Sequence, residues 1–298
     1  MKENFLKNVQ LYPSDTFKIV IDNLTRQLFD MCIASGEKIG VELLESNVKH
    51  VKSKIIISNI SALKVQFGEF DWAVFDAITS ERIENSDDYT TAAIVCRKLG
   101  ASHTPTKELQ AAVVDTLEKF AVIRVVANME DTKKFYDTPL KDGSYTFRGY
   151  LLPTESLEMS VNGQDATLIH YLSKGIIWGV AEIKDQIITC SAELFQPPIR
   201  MTPRSIAINH FLLRRINEMK GSLEASKSNK KVKPLRHTIL FDSLYRACGL
   251  EGADRFAKRN ARDIVEKILQ YFIEKELIKG YEIETGRGGK ARDIHFEL

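Results

Sequence analysis

The chain lacks the signatures by which many enzyme classes are recognised. It has no glycine-rich phosphate loop of the P-loop type, which excludes an ATPase of that design. It has neither His-x-His nor His-Glu-x-x-His, so a metal-dependent nicking or protease centre would have none of its usual ligands. Gly-x-Ser-x-Gly is missing too, and with it the strained elbow of a serine hydrolase. The histidines His50, His103, His170, His210, His237 and His295 are isolated from one another and read as structural or exposed. Cysteine is scarce: Cys32, Cys96, Cys190 and Cys248 stand far apart, with no paired spacing for zinc or redox work, and read as reduced, part-buried thiols. No apolar run approaches the roughly 18 residues that cross a bilayer. The opening Met1-Lys2-Glu3-Asn4-Phe5 lacks the apolar core of a signal peptide. These absences predict a non-catalytic, cytoplasmic protein with no cofactor, no metal and no membrane partner.

What is present is a globular composition with uneven charge. The 298 residues are 44% hydrophobic and 28% charged, enough for a sizeable core and, by length, two domains. The net charge of +2 hides an asymmetry. From Arg200 onward there are 21 Lys and Arg against 13 Asp and Glu, a charge of +8, which leaves −6 for the remainder. A basic C-terminal third on a mildly acidic body places the surface that faces a polyanion in that third.

Apolar periodicity suggests α+β organisation. Ser14-Asp15 can cap a helix through Phe17, Val20, Ile21, Leu24, Leu28 and Phe29 to Gly36, and Lys54–Ser58 reads as a strand. Three helices are then expected, at Phe70–Ile78, about Tyr89 to Leu99 with Gly100 as C-cap, and Thr104-Pro105 to about Lys119. A hairpin from Phe120–Asn128 and Tyr145–Leu152 follows, around a loop whose Lys133, Lys134 and Lys141 can touch a backbone or merely be solvated. Short strands are expected near Glu158–Val161 and Thr167–Tyr171, while Gly179–Phe195 has no clear pattern. After Pro197-Pro198, Thr202-Pro203 opens a helix with Ile208, Leu212, Ile216 and Met219 on one face. Gly221–Lys233, polar and lysine-rich, reads as a mobile loop. Ile239–Tyr245 starts a second helix, and Asp254 caps a third with the stripe Ala257, Ala261, Ile264, Ile268, Phe272 and Leu277. Trp72 and Trp178 are expected as core anchors.

The chemistry concentrates near the C-terminus. Arg255, Lys258, Arg259 and Arg262 recur at three- and four-residue steps, so one helix face carries cations opposite an apolar one. Asn260 among them could read adenine or be a surface residue without a role. The glycine-rich loop Gly286–Arg292, with Arg287, Lys290 and Arg292, lies between the strand-like runs Lys279–Glu284 and Asp293–Leu298. A basic helix followed by a hairpin with a basic tip is the layout of a winged helix, in which the helix enters the major groove and the tip meets the backbone or minor groove. The earlier third helix is less basic: Lys107, Gln110 and Lys119 are offset by Glu108, Asp115 and Glu118, a face better suited to a partner subunit.

The segments Ile208–Lys220, Ile239–Tyr245 and Ile268–Tyr281 resemble replication initiator proteins of bacterial plasmids and integrative elements. The likeness covers roughly Thr202–Leu298 and more faintly Phe67–Leu152. It implies the iteron-binding architecture of two winged-helix domains, a first (61–152) and a C-terminal DNA-binding one (201–298); the apolar pattern adds an N-terminal helical extension (1–60), outside the resemblance, and a connecting β-rich segment (153–200). It also implies binding to repeated origin double-stranded DNA without hydrolysis, recruitment of host replication proteins and dimerisation through the N-terminal unit. On it, Arg255, Lys258, Arg259 and Arg262 fall on the recognition helix and Arg287, Lys290 and Arg292 on the wing. A winged-helix transcription regulator would share every residue argument. A rolling-circle nicking enzyme is the remaining alternative, disfavoured by the missing ligand motif.

Overall fold

The computed structural model describes residues 15–21, 42–48, 51–58, 67–85, 88–122, 124–129, 145–161, 164–172, 175–183, 185–229, 233–286 and 291–298. In these the chain is α+β, with helices packed among small antiparallel sheets. In order they are β1 (Thr16–Val20), β2 (Glu42–Val48), β3 (Val51–Ser58), α1 (Glu69–Asn85), β4 (Tyr89–Thr91), α2 (Ala92–Lys98), α3 (Lys107–Val122), β5 (Arg124–Met129) and β6 (Tyr145–Tyr150). Then come β7 (Thr154–Val161), β8 (Gln164–Tyr171), α4 (Ile176–Ile183), β9 (Ile187–Ser191), a 3-10 turn (Ala192–Phe195), α5 (Pro203–Ser228), β10 (Thr238–Leu240), α6 (Phe241–Ala247), α7 (Arg255–Glu274), β11 (Gly280–Thr285) and β12 (Ala291–Glu297).

Two stretches share one plan. The first runs α1, β4, α2, α3 and then pairs β4 with β8 and β8 with β7. The second runs α5, β10, α6, α7 and pairs β10 with β12 and β12 with β11. In each, the short strand between the first two helices pairs with the last strand of the hairpin. The strand and second helix have matching lengths in both, three and seven residues. Both second helices end in the same cap, with Gly100 at φ 88° and Gly249 at φ 66°. In both caps the next amide reaches back to the helix, Ala101 to the Cys96 carbonyl at 2.9 Å and Leu250 to that of Tyr245 at 2.6 Å.

This pairing corrects the expected hairpin. Within the expected runs, Arg124–Met129 and Tyr145–Tyr150 do pair as β5 and β6, while residues 120–122 instead end α3, and the pair lies in a separate four-stranded sheet, β2-β3-β5-β6. The strand that closes on β4 comes from β7–β8, inside the segment read as a connector. The order of elements looked right because β5–β6 is inserted between the third helix and the hairpin proper. Strand pairing between distant residues leaves no mark in local periodicity.

Other expectations shift as well. Thr16–Val20 is a strand paired with β9, not the start of a helix; residues 22–41 lie outside those described. Phe17, Ile19 and Val20 are fully buried, and an apolar run this dense satisfies a period of two as well as 3.6. Tyr89–Thr91 and Thr238–Leu240 are likewise strands that precede, rather than begin, α2 and α6. Thr106, not Thr104, accepts from the α3 first turn, at 3.3 Å from the Leu109 amide. Gly221–Ser228, expected as loop, continues α5 because Leu223, Glu224, Ala225 and Lys227 are good helix formers and extending an existing helix needs no new nucleus. Its start agrees with expectation: Pro203 is the first helical residue and Thr202 and Ser205 form a reciprocal capping box.

One hydrophobic core runs through both stretches, and Trp72 and Trp178 anchor it at 1% and 0% exposure. Its centre is α1, a helix buried around most of its circumference, whose buried carboxylates among the described residues are each matched. Glu81 pairs with Lys98 of α2 at 3.0 Å, both side chains buried. Asp71 accepts from Thr116 and Lys119 of α3 at 2.8 and 2.9 Å. Glu69 takes the Arg214 guanidinium of α5 through two hydrogen bonds of 3.0 Å. His210 lies between two carboxylates, its Nδ1 2.8 Å from Glu69 Oε1 and its Nε2 3.0 Å from Asp76 Oδ2. The Arg214 guanidinium stacks 4.0 Å from the Trp72 ring centre. The first helices of the two stretches are thus clamped together by buried charge.

Candidate nucleic-acid interface

The site is built on α7. The Asp254 side chain accepts the Ala257 amide at 2.7 Å, fixing the first turn and leaving the positive end of the helix dipole at the surface. Ala261, Val265, Ile268, Leu269 and Phe272 are buried, so the helix is held rigidly by one face. At 100° per residue the opposite face presents Phe256, Arg259 and Asn260, with Arg255 at its edge. All four are exposed. The helix ends on Lys275, with Glu276 at φ 57° as the turn-out into β11.

The expected cations divide into two kinds. For Arg255 and Arg259 no ion pair is present among the described residues, and both point to solvent. Lys258 is half-buried, donating to the Glu251 carbonyl at 2.9 Å and lying 5.4 Å from the Tyr245 ring centre. Arg262 is half-buried and donates to Glu266 Oε1 at 2.8 Å. Spacing alone made these four equivalent; their neighbours do not.

On the hairpin, Arg287 and Lys290 lie outside the described residues. Arg292 is described and is engaged, its Nε 2.9 Å from Asp293 Oδ2 and one terminal nitrogen 2.8 Å from Glu284 Oε2. Glu284, Asp293 and His295 bring their ligand atoms within 4.8 Å of one another, the described cluster with metal-binding spacing. The Arg292 guanidinium already bridges its two carboxylates, and His295 is held between Glu284 at 3.2 Å and the Thr238 hydroxyl at 3.1 Å. A cation is in place there without a metal.

The corresponding surface of the first stretch is different. On α3 the exposed positions are Lys107, Glu108, Ala111, Asp115 and Glu118, and Lys119 is turned inward to Asp71. The balance is acidic. The loop holding Lys133, Lys134 and Lys141 lies outside the described residues.

The feature that sequence reading missed is Phe256. Its signal was present: it falls off the stripe Ala257, Ala261, Ile264, and so had to face outward.

No protein-family model matches the chain, and no curated protein matches it. Among solved structures, the fold is similar to a crystal structure of selenomethionine derivatives of domains 2 and 3 of RctB. The TM-score is 0.39 and the identity 11%, with 88% of this chain and 93% of that chain covered. A second crystal structure of RctB domains 2-3 gives a TM-score of 0.40 and 10% identity over the same shares. Among the described residues no helix is long and apolar enough to cross a membrane.

Proposed function

We propose that the chain is a sequence-specific double-stranded DNA-binding protein that initiates replication of a plasmid or mobile element, acting without catalysis. In this reading both stretches are winged helices, α7 is the recognition helix and β11–β12 the wing. One observation carries it: the rigidly held α7 turns Arg255, Arg259 and Asn260 to solvent from its first two turns, the part of a recognition helix that meets base edges. Arginine forks suit phosphate or guanine O6/N7, and Asn260 suits adenine. The replication role rests on the resemblance of Ile208–Lys220, Ile239–Tyr245 and Ile268–Tyr281 to plasmid initiators. Origin repeats are then the ligand, host replication proteins the recruited partners, and the acidic first unit a dimerisation surface.

Footprinting of the full chain on the intergenic DNA of its own element tests the reading. Protection of an array of direct repeats is the expected result. Protection of a promoter operator alone would turn the protein into a transcription regulator, and nicked supercoiled plasmid in the presence of magnesium would make it an enzyme. No protection at all would end the DNA assignment.

A further inference from the structure

Phe256 is the most exposed large apolar side chain described, at 79%. The helix that carries it buries other apolar residues efficiently, so its exposure is a property of position: the Asp254 cap fixes the first turn and sends the ring away from Ala261, Ile268 and Phe272. Around it stand Arg255, Arg259 and Asn260, one turn or less away. A protein partner offering an apolar patch to the ring would have to bury two unpaired guanidinium groups beside it, a costly arrangement. A DNA duplex meets both needs, with phosphates for the arginines and a base edge for the ring. Among the groups that the bases present in the major groove, the apolar one is the 5-methyl of thymine.

We propose that Phe256 is a specificity-determining residue whose ring packs on a thymine methyl in the major groove. The proposal rests on the DNA reading above and adds a base identity to it. Arg255 and Arg259 hold the flanking phosphates or guanines, and their charge sets affinity, whereas the ring contributes discrimination at one base pair of each half-site.

The probe is a duplex selected by the full-length chain from a random-sequence pool, remade with each thymine replaced singly by uracil, which removes only the methyl group. Uracil at one position per half-site should weaken binding about fourfold, the equivalent of about 0.8 kcal/mol for one methyl-sized apolar group at 1.4 kcal/mol per tenfold. Phe256→Ala should bind more weakly and bind the thymine and uracil duplexes equally. Its melting temperature should match the parent's, because the ring supports nothing inside the fold. Indifference of the parent chain to every uracil would overturn the assignment, as would a uracil penalty that persists in Phe256→Ala. Selection that enriches no duplex is a different result: it removes the DNA reading, and this inference with it.

Discussion

The two stretches share a plan and differ in what they show to solvent. Both have a short strand and a seven-residue helix closed by a left-handed glycine, then a long helix and a hairpin that returns to the short strand. The first two turns of α7 expose Arg255, Phe256, Arg259 and Asn260, with Asp263 just beyond them; α3 exposes Lys107, Glu108, Ala111, Asp115 and Glu118. The basic residue Lys119 of α3 is spent internally on Asp71, while Arg255 and Arg259 of α7 are left to solvent. Fold and surface charge are therefore separable here. The core of each stretch fixes where its third helix lies, and a handful of surface positions set the charge it shows to solvent.

The sharpest way to break this comparison is to remove the cations from one helix at a time. Replacing Arg255, Lys258, Arg259 and Arg262 together by Ala should abolish specific DNA binding, with affinity falling at least about a hundredfold if two charge-assisted hydrogen bonds of about 1.5–3 kcal/mol each disappear. Arg255→Ala with Arg259→Ala should account for most of it, since Lys258 and Arg262 have partners within the protein. Lys107→Ala on α3 should leave affinity unchanged. Anisotropy titrations at one salt concentration check all three, and equal effects from α7 and α3 would erase the functional distinction.

A second prediction concerns what joins the stretches. Arg214 bridges Glu69 of α1 and Glu218 of its own helix, all three buried. Arg214→Ala leaves Glu69 with His210 alone and Glu218 with Arg215 alone, and should cost about 3 kcal/mol in denaturant unfolding, the low end for breaking a buried pair. Arg214→Met with Glu69→Gln and Glu218→Gln should recover much of that, because the penalty lies in the orphaned charge. A small loss from the single replacement would mean that the clamp is wetter than its geometry indicates.

How much of this was legible in sequence depended on the range of the interaction. Caps and stripes are local, so Thr202-Pro203, Asp254 and Gly100 could be read directly, as could Ala261, Ile268 and Phe272 of the α7 stripe, although Val265 and Leu269 are buried too and Leu277 lies past the helix end. Strand partners are not. Nothing near Tyr89 tells that it will pair with His170, nor near Phe120 that an inserted sheet precedes the true hairpin. His210 looked isolated because its two carboxylates lie 141 and 134 residues away. The cation pattern on α7 was visible, but which cations are already paired is a question of neighbours in space.

The matched glycine caps allow a finer comparison. A Cβ at Gly100 would stand 1.7 Å from the Phe195 carbonyl oxygen, whereas one at Gly249 meets nothing within 4 Å. Both have positive φ, so both substitutions carry backbone strain of about 1–2 kcal/mol. Gly249→Ala should cost about that much; Gly100→Ala should cost about 2–4 kcal/mol, since backbone has to move as well. Equal melting temperatures for the two variants would show that the Phe195 turn yields freely.

The clamp also has a pH signature. Burial pushes the Asp76 carboxyl up to about 6 despite the His210 contact. Burial acts to lower the His210 pKa, but its hydrogen bonds to Asp76 and Glu69 outweigh it and hold the pKa above the ordinary value. Burial acts to raise Glu69, and Arg214 with His210 draws it down to about 2. Asp76 and His210 thus bind protons more tightly when folded, so their stabilisation is present at low pH and lost as pH rises through the folded values. Glu69 runs the other way, losing its contribution as pH falls from 4.5 toward 2. From about pH 4.5 to about 6, as Asp76 deprotonates, and again above 6.5 as His210 does, the melting temperature should therefore decline, and His210→Gln should flatten the decline above 6.5. An unchanged slope in that variant would assign the pH dependence to other groups.

The smallest effect separates α7 from the β11–β12 hairpin within the unit proposed to face DNA. Removing a single phosphate contact should lower the slope of log affinity against log salt by about 0.9. Arg287→Ala and Lys290→Ala, in the basic stretch of sequence between β11 and β12, should each approach that value while leaving the preferred sequence unchanged. Arg292 begins with both ends of its guanidinium on Glu284 and Asp293, so a phosphate would compete with carboxylates already in place. Its replacement by Ala should shift the slope by well under half of that amount, and Arg259→Ala by nearly all of it. Lys119→Ala, from the matching helix of the first stretch, should shift it by nothing. A shift of the full size, about 0.9, for Arg292→Ala would mean that the hairpin surrenders its internal pairs to the duplex, and that its carboxylates act as a store of cation rather than a permanent partner. A shift for Lys119→Ala would mean that the acidic stretch touches DNA too, and that the division of labour between the two stretches does not hold.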